Sequence, residues 1–112
     1  MPSHFYIKKD DTRPAIIADL TDANDAAVNL TGSSVKFNMR VDPAGAIKIN
    51  LGSATIEDAE AGQVSYAWTT ANTDTADDYE AEVEVSFAGG GVQTFPGRNW
   101  IAVHVIDDID TA

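Results

Sequence analysis

Residues 79–87 alternate apolar and polar side chains without a break. Tyr79, Ala81, Val83, Val85 and Phe87 hold one phase, and Glu80, Glu82, Glu84 and Ser86 hold the other. Successive side chains of a β-strand point to opposite faces, whereas a helix scatters both sets around its circumference. The period predicts a strand with the apolar set in a core and the glutamates in water. Similar alternation sets Val35, Phe37, Met39 and Val41 against Lys36, Asn38 and Arg40, and Ile47, Ile49 and Leu51 against Lys48 and Asn50. Val64, Tyr66 and Trp68 share one face of a further strand over residues 63–68.

Shorter segments complete the pattern. Residues 4–8, 54–56 and 92–95 read as brief strands, and residues 15–20 as one that is apolar on both faces around Ile16 and Ile17. Residues 27–30 read as a short edge strand. Over residues 99–106, Trp100, Ala102, His104 and Ile106 oppose Ile101, Val103 and Val105. Asp42-Pro43-Ala44-Gly45 and Gly89-Gly90-Gly91 mark hairpin connections. The polar stretch 69–78 supports at most one helical turn, capped by Thr69 or Thr70. Roughly seven to nine short strands with frequent turns predict an all-β, immunoglobulin-like antiparallel β-sandwich. Tyr79, preceded by Asp74-Thr75-Ala76, is a candidate tyrosine-corner residue at the start of its strand.

Composition narrows the function. A chain of 112 residues, 44% hydrophobic, suits one domain with a real core. Residues 15–106 are assigned to the sandwich, 1–14 to an N-terminal strand and candidate docking arm, and 107–112 to an acidic tail. The absence of cysteine removes disulfides, thiolate metal sites and cysteine nucleophiles. A formal charge of -11 repels nucleic-acid backbones and anionic membranes, so neither is an expected partner. Met1-Pro2-Ser3-His4 has no basic region followed by an apolar run, so no signal peptide is expected and synthesis belongs in a cytoplasm.

Chemistry is sparse. His4 and His104, the only histidines, fall in opposite terminal strands, and serines and threonines lie mostly in turns. A nucleophile, a base and a group that orients it are not recognisable together, so an enzyme is not expected. Asp22, Asn24 and Asp25, then Asp74, Asp77 and Asp78, then Asp107, Asp108 and Asp110 form oxygen-rich clusters without the glycine and spacing of a calcium loop. They read as turn formers. The triple glycine precedes a strand rather than a helix, which argues against a phosphate cradle. No metal or cofactor is expected.

Four segments follow one another along the chain: Ile7-Lys8-Lys9-Asp10-Asp11-Thr12-Arg13-Pro14 with Leu20-Thr21-Asp22, then Val28-Asn29-Leu30-Thr31-Gly32-Ser33-Ser34-Val35-Lys36-Phe37-Asn38-Met39-Arg40. Ile56-Glu57-Asp58-Ala59-Glu60-Ala61-Gly62-Gln63-Val64-Ser65-Tyr66 and residues 79–85 come next. In this order they resemble the immunoglobulin-like domain of phage baseplate upper proteins. The family often has glycine where Asp10 stands, and its members commonly continue into a receptor-binding region. A chain ending at Ala112 is expected to act as a smaller module. The resemblance implies a non-enzymatic virion structural protein, made in the host cytoplasm, that binds other capsid or tail proteins. Its expected role is a baseplate or tail accessory or a capsid decoration protein, held in many copies, with a homo-oligomer within the particle among its candidate partners. A carbohydrate-binding adhesion module is the alternative. Candidate partner contacts are Lys8, Lys9 and Arg13 near the start, and Arg98 and Trp100 after Pro96-Gly97.

Overall fold

The computed structural model describes residues 4–97 and 100–109. Arg98 and Asn99, and the last part of the expected acidic tail, lie outside the described residues. In chain order the strands are β1 (His4–Lys8), β2 (Ile16–Asp19), β3 (Ser34–Val41), β4 (Ile47–Ser53), β5 (Thr55–Asp58), β6 (Gln63–Tyr66), β7 (Asp77–Ser86), β8 (Val92–Phe95) and β9 (Ile101–Ile106). A single 3₁₀ turn, Thr70–Asn72, follows Thr69 as its cap residue.

The larger sheet has the order β1-β9-β7-β3-β4, and the smaller one β2-β6-β5. β8 and β9 share one side of β7: β9 pairs with Asp77 through Ala81, and β8 with Val83 through Ser86. This division of strands is that of an immunoglobulin-like sandwich. One pair departs from the antiparallel expectation. β1 runs parallel to β9, with Tyr6 opposite His104 and Lys8 opposite Ile106.

Between the sheets lie the apolar phases read from the sequence. Val35, Phe37 and Met39 from β3, Tyr79, Ala81, Val83 and Val85 from β7, and Ile101, Val103 and Val105 from β9 are all buried. Val64 and Tyr66 of β6, with Trp68 just beyond its end, cover them from the other side. Phe37 stacks on Tyr66 with ring centres 4.6 Å apart and meets Trp68 edge-on at 5.7 Å. Edge-to-face and offset contacts of this kind add to plain burial, because the ring edge is positive and its face negative. Gly52 opens room for that stack, since a Cβ there would lie 2.9 Å from Tyr66 Cε1.

Hydrogen bonds pin the connections to the core. Tyr79 Oη donates to the Thr75 carbonyl at 2.7 Å, which is the tyrosine-corner contact expected at the start of β7. Burial, followed by the charges of Asp77 and Asp74, pushes the Tyr79 hydroxyl pKa above its ordinary value. Tyr66 Oη donates to Asn72 Oδ1, which also accepts the Thr69 N–H. Residues 27–30 form no strand. Ala27 makes one isolated bridge with Thr21, and buried Leu30 is held by its N–H to the Ala59 carbonyl.

One expectation about the first strands is corrected. Ile16 is buried, but Ile17 is 60% exposed, because a strand in an outer layer has only one covered face. Of the N-terminal strand and candidate docking arm expected over 1–14, the strand is present as β1, and residues 4–11 are tied to the rest of the domain. Ile7 is in the core, the Asp10 N–H donates to the Thr73 carbonyl, and buried Thr73 donates its hydroxyl to the Asp11 carbonyl. Asp10 sits at φ 68°, the left-handed conformation glycine takes freely. Beside the open edge of β2 runs a groove of about 790 Å³, floored by Phe5, Phe95 and Ile101.

Candidate interaction face

The outer face of the larger sheet gathers most of the side chains with recognisable chemistry. Its centre is a cross-strand ladder set by the β3–β7 register: Arg40 opposite Glu80, Asn38 opposite Glu82, Lys36 opposite Glu84. Directly opposed charges of unlike sign favour such a pairing, so the alternation that predicts each strand also predicts how well they match. The glutamates are not equivalent, however. Glu80 is only 6% exposed, whereas the sequence places it in water with Glu82 and Glu84.

Its partners explain the difference. Glu80 Oε1 accepts the Ala44 N–H at 3.0 Å and the Arg40 Nε–H at 2.7 Å. These hydrogen bonds, the Ala44 one foremost and then Arg40, hold the carboxyl below its ordinary pKa, and burial opposes them. Hydrogen bonds to the ionised carboxylate favour its charged form and outweigh burial here, so they decide the sign.

A pH prediction follows from that direction. The folded pKa is depressed, so the Glu80 contribution is complete above the ordinary carboxylate range and disappears as pH falls through the folded value. Urea unfolding of Glu80→Gln should show a lower midpoint than the parent at pH 7. The gap should close on acidification below about pH 4, where free glutamate also protonates. A gap that is constant with pH would contradict the assignment. Asp74 moves in the same direction, through its hydrogen bonds to Lys48 first and Thr75 second.

Beyond the ladder the face turns apolar. Trp100 is 39% exposed, Leu51 50% and Ile47 64%. Together with Asn38, Arg40 and Glu82 they line an open groove of about 450 Å³. Leu51 is turned outward by a register irregularity between β3 and β4, sits at φ 54°, and donates its N–H to Asn38 Oδ1 at 2.7 Å. An irregularity of this kind re-aims a side chain at the cost of one ladder position. Glu82 and Glu84 make no ion pair among the described residues.

The expected contact residues do not form one patch. Trp100 precedes β9, while Lys8 faces Ile106 at its other end, about 20 Å away at the usual rise per strand residue. Lys8 and Arg13 are exposed. Lys9 is partly covered, with its ammonium 3.7 Å from Asp10. Arg98 lies outside the described residues.

Sequence reasoning missed a second cluster on this face. His4 and His104 belong to opposite ends of the chain, yet parallel pairing of β1 with β9 makes them neighbours. His4 Nδ1 lies 2.9 Å from His104 Nε2, and His104 Nδ1 lies 2.8 Å from Asp78 Oδ1. Tyr6 packs its ring on His104 with centres 4.6 Å apart. The one usable signal is topological: where first and last strands of a sandwich adjoin, their outward residues meet. Asp22, by contrast, acts as the turn former expected of it, its Oδ1 accepting the N–H groups of Asn24 and Ala26. Comparison with protein-family models finds no match, and comparison with curated proteins finds none either.

Proposed function

We propose that the chain is a non-enzymatic structural component of a phage virion, and that it binds a neighbouring virion protein through the outer face of its larger sheet. The observation that carries the reading is the groove where Trp100, Leu51 and Ile47 stand exposed beside Glu82 and Arg40. An aromatic anchor in a groove with a charged rim is the usual anatomy of a protein-binding hot spot. The acidic excess favours a partner surface rich in lysine and arginine, which speeds encounter as well as selecting the partner.

Phage identity is supported by the quoted resemblance alone. Asp10 is compatible with it, since its left-handed backbone matches what glycine would adopt there. A baseplate or tail accessory and a capsid decoration protein both fit, and both place many copies on a symmetric particle. The hydrogen-bonded line from Asp78 through His104 ends on His4 and not on a hydroxyl, which favours a non-catalytic role. Exposed Trp100 and Tyr6 give the carbohydrate alternative its footing, and a glycan array free of hits would remove it.

The test is Trp100→Ala. Truncating a hot-spot tryptophan costs about 2 kcal/mol or more of binding, close to a thirtyfold loss of affinity. The variant should fail to enter particles when it competes with the parent, while its thermal unfolding stays near that of the parent. Equal incorporation of the two chains would overturn the proposed face.

A further inference from the structure

We infer that the open edge of β2 is a strand-addition site for an extended segment of a partner protein, apolar at alternate positions and basic between them. The two sheets differ in width. The larger runs β1-β9-β7-β3-β4, and the smaller only β2-β6-β5. β5 packs over β3, so the smaller sheet covers one side of the larger and stops short above β9 and β1. Neighbouring strands lie about 4.7–4.9 Å apart, so a further strand beside β2 fits over that uncovered margin. The groove of about 790 Å³ occupies this position, with half-buried Phe5 and buried Phe95 and Ile101 as its floor.

The backbone of β2 is turned to receive such a strand. In an antiparallel pair, alternate residues direct both N–H and C=O toward the partner strand, and those between direct theirs away. The Leu20 N–H donates to the Gly62 carbonyl at the end of the β2–β6 ladder. Ile16 and Ala18, in the same phase, therefore face β6. The backbone groups of Ile17, Asp19 and Thr21 face the open side, where no strand lies among the described residues. Unpaired edge groups bind an added strand by main-chain hydrogen bonds, and alternate side chains supply the selectivity.

The groove's own side chains set the pattern of the incoming segment. Its inward phase rests over Phe5, Phe95 and Ile101, which calls for apolar residues. Its outward phase lies beside Ile17, Asp19 and Thr21, all exposed. Asp19 and Asp22 carry charge along the groove, and no lysine or arginine lines it among the described residues. A basic residue opposite Asp19 is the favourable cross-strand pair. The same charges disfavour two other occupants. The chain's own acidic tail is repelled, and a second copy docked β2 to β2 sets one acidic edge against another. The site lies on the inner side of the larger sheet, apart from the Trp100 groove, and does not depend on the virion reading.

An octapeptide of alternating valine and lysine, added to the whole chain and followed by amide NMR and hydrogen exchange, tests the site. Saturable one-to-one binding is expected, with exchange slowed at the Ile17, Asp19 and Thr21 amides. A peptide of alternating valine and glutamate should not bind. Asp19→Lys, an exposed change, should weaken the lysine peptide about tenfold and admit the glutamate peptide. Ile17→Pro removes one outward N–H where an edge strand tolerates proline, and should weaken both peptides. Should that variant fail to fold, the exchange of peptide preference by Asp19→Lys decides alone. Asp107→Lys, beyond the far end of β9, should leave binding unchanged. Binding that Asp19→Lys leaves unaltered, or that Asp107→Lys weakens equally, would mean diffuse attraction to an acidic surface and would overturn the site. So would an absence of saturation, or edge amides already protected from exchange in the free chain.

Discussion

Replacing Phe37 with alanine is expected to remove about 3–5 kcal/mol of folding stability, the usual cost of truncating a buried phenylalanine. The ring is 2% exposed and stands where the two sheets meet. It stacks on Tyr66 and presents an edge contact to Trp68, so truncation leaves both partners with a void on one side. The loss comprises the transfer of the ring to water and the dispersion contacts its neighbours cannot regain. Against a total stability of about 5–15 kcal/mol, it is a large share. Urea unfolding should show the midpoint falling by about 2–4 M with an unchanged slope. Ile17→Ala provides the comparison, because Ile17 is a large aliphatic residue on the solvent side of the smaller sheet. Its change should stay within about 0.5 kcal/mol. A loss below about 1 kcal/mol for Phe37→Ala would place the core elsewhere.

Gly62→Ala should cost about 2–4 kcal/mol, more than its single methyl group suggests. Gly62 lies at φ 70°, and a Cβ there would stand 2.6 Å from the Leu20 carbonyl oxygen and 2.8 Å from that of Val28. Both neighbours are backbone. They are held in place by the Leu20 N–H to the Gly62 carbonyl and the Val28 N–H to the Leu20 carbonyl. No side-chain rotation relieves the clash, so the strands or the turn must move. Gly89 is the matched control: its backbone is not left-handed, and a Cβ there meets nothing within 4 Å. Gly89→Ala should change stability by less than about 0.5 kcal/mol. Equal effects at the two glycines would contradict the close approach between the β5–β6 turn and the end of β2.

Much of this architecture is legible in the chain because side-chain period fixes which residues share a face. β3, β6 and β7 follow their alternation, and Val64, Tyr66 and Trp68 are buried together. The helical turn and the tyrosine corner are signalled by local residues whose partners lie within a few positions. What the period does not carry is the identity of the neighbouring strand. Glu80, Glu82 and Glu84 occupy the same phase, and only the arrival of Arg40 and the Ala44 amide removes the first of them from water. The meeting of His4 with His104 depends likewise on a pairing between residues a hundred positions apart. Ile17 shows the converse limit. Its apolar character predicts burial, but the smaller sheet is covered on one face only. On the candidate face, Trp100 was legible as an exposed aromatic beside Pro96-Gly97. Leu51 was not, because it depends on an irregularity that breaks the alternation of β4.

Quantitative mass spectrometry of purified particles, scaled to the major capsid protein, tests the central claim most directly. The proposed virion role predicts the chain at a fixed ratio that persists through repeated purification. A ratio near that of the capsid protein would mark a shell decoration, and a few copies per particle would mark the tail or baseplate. Particles that lack the chain, from a host that makes it in quantity, would contradict the virion role.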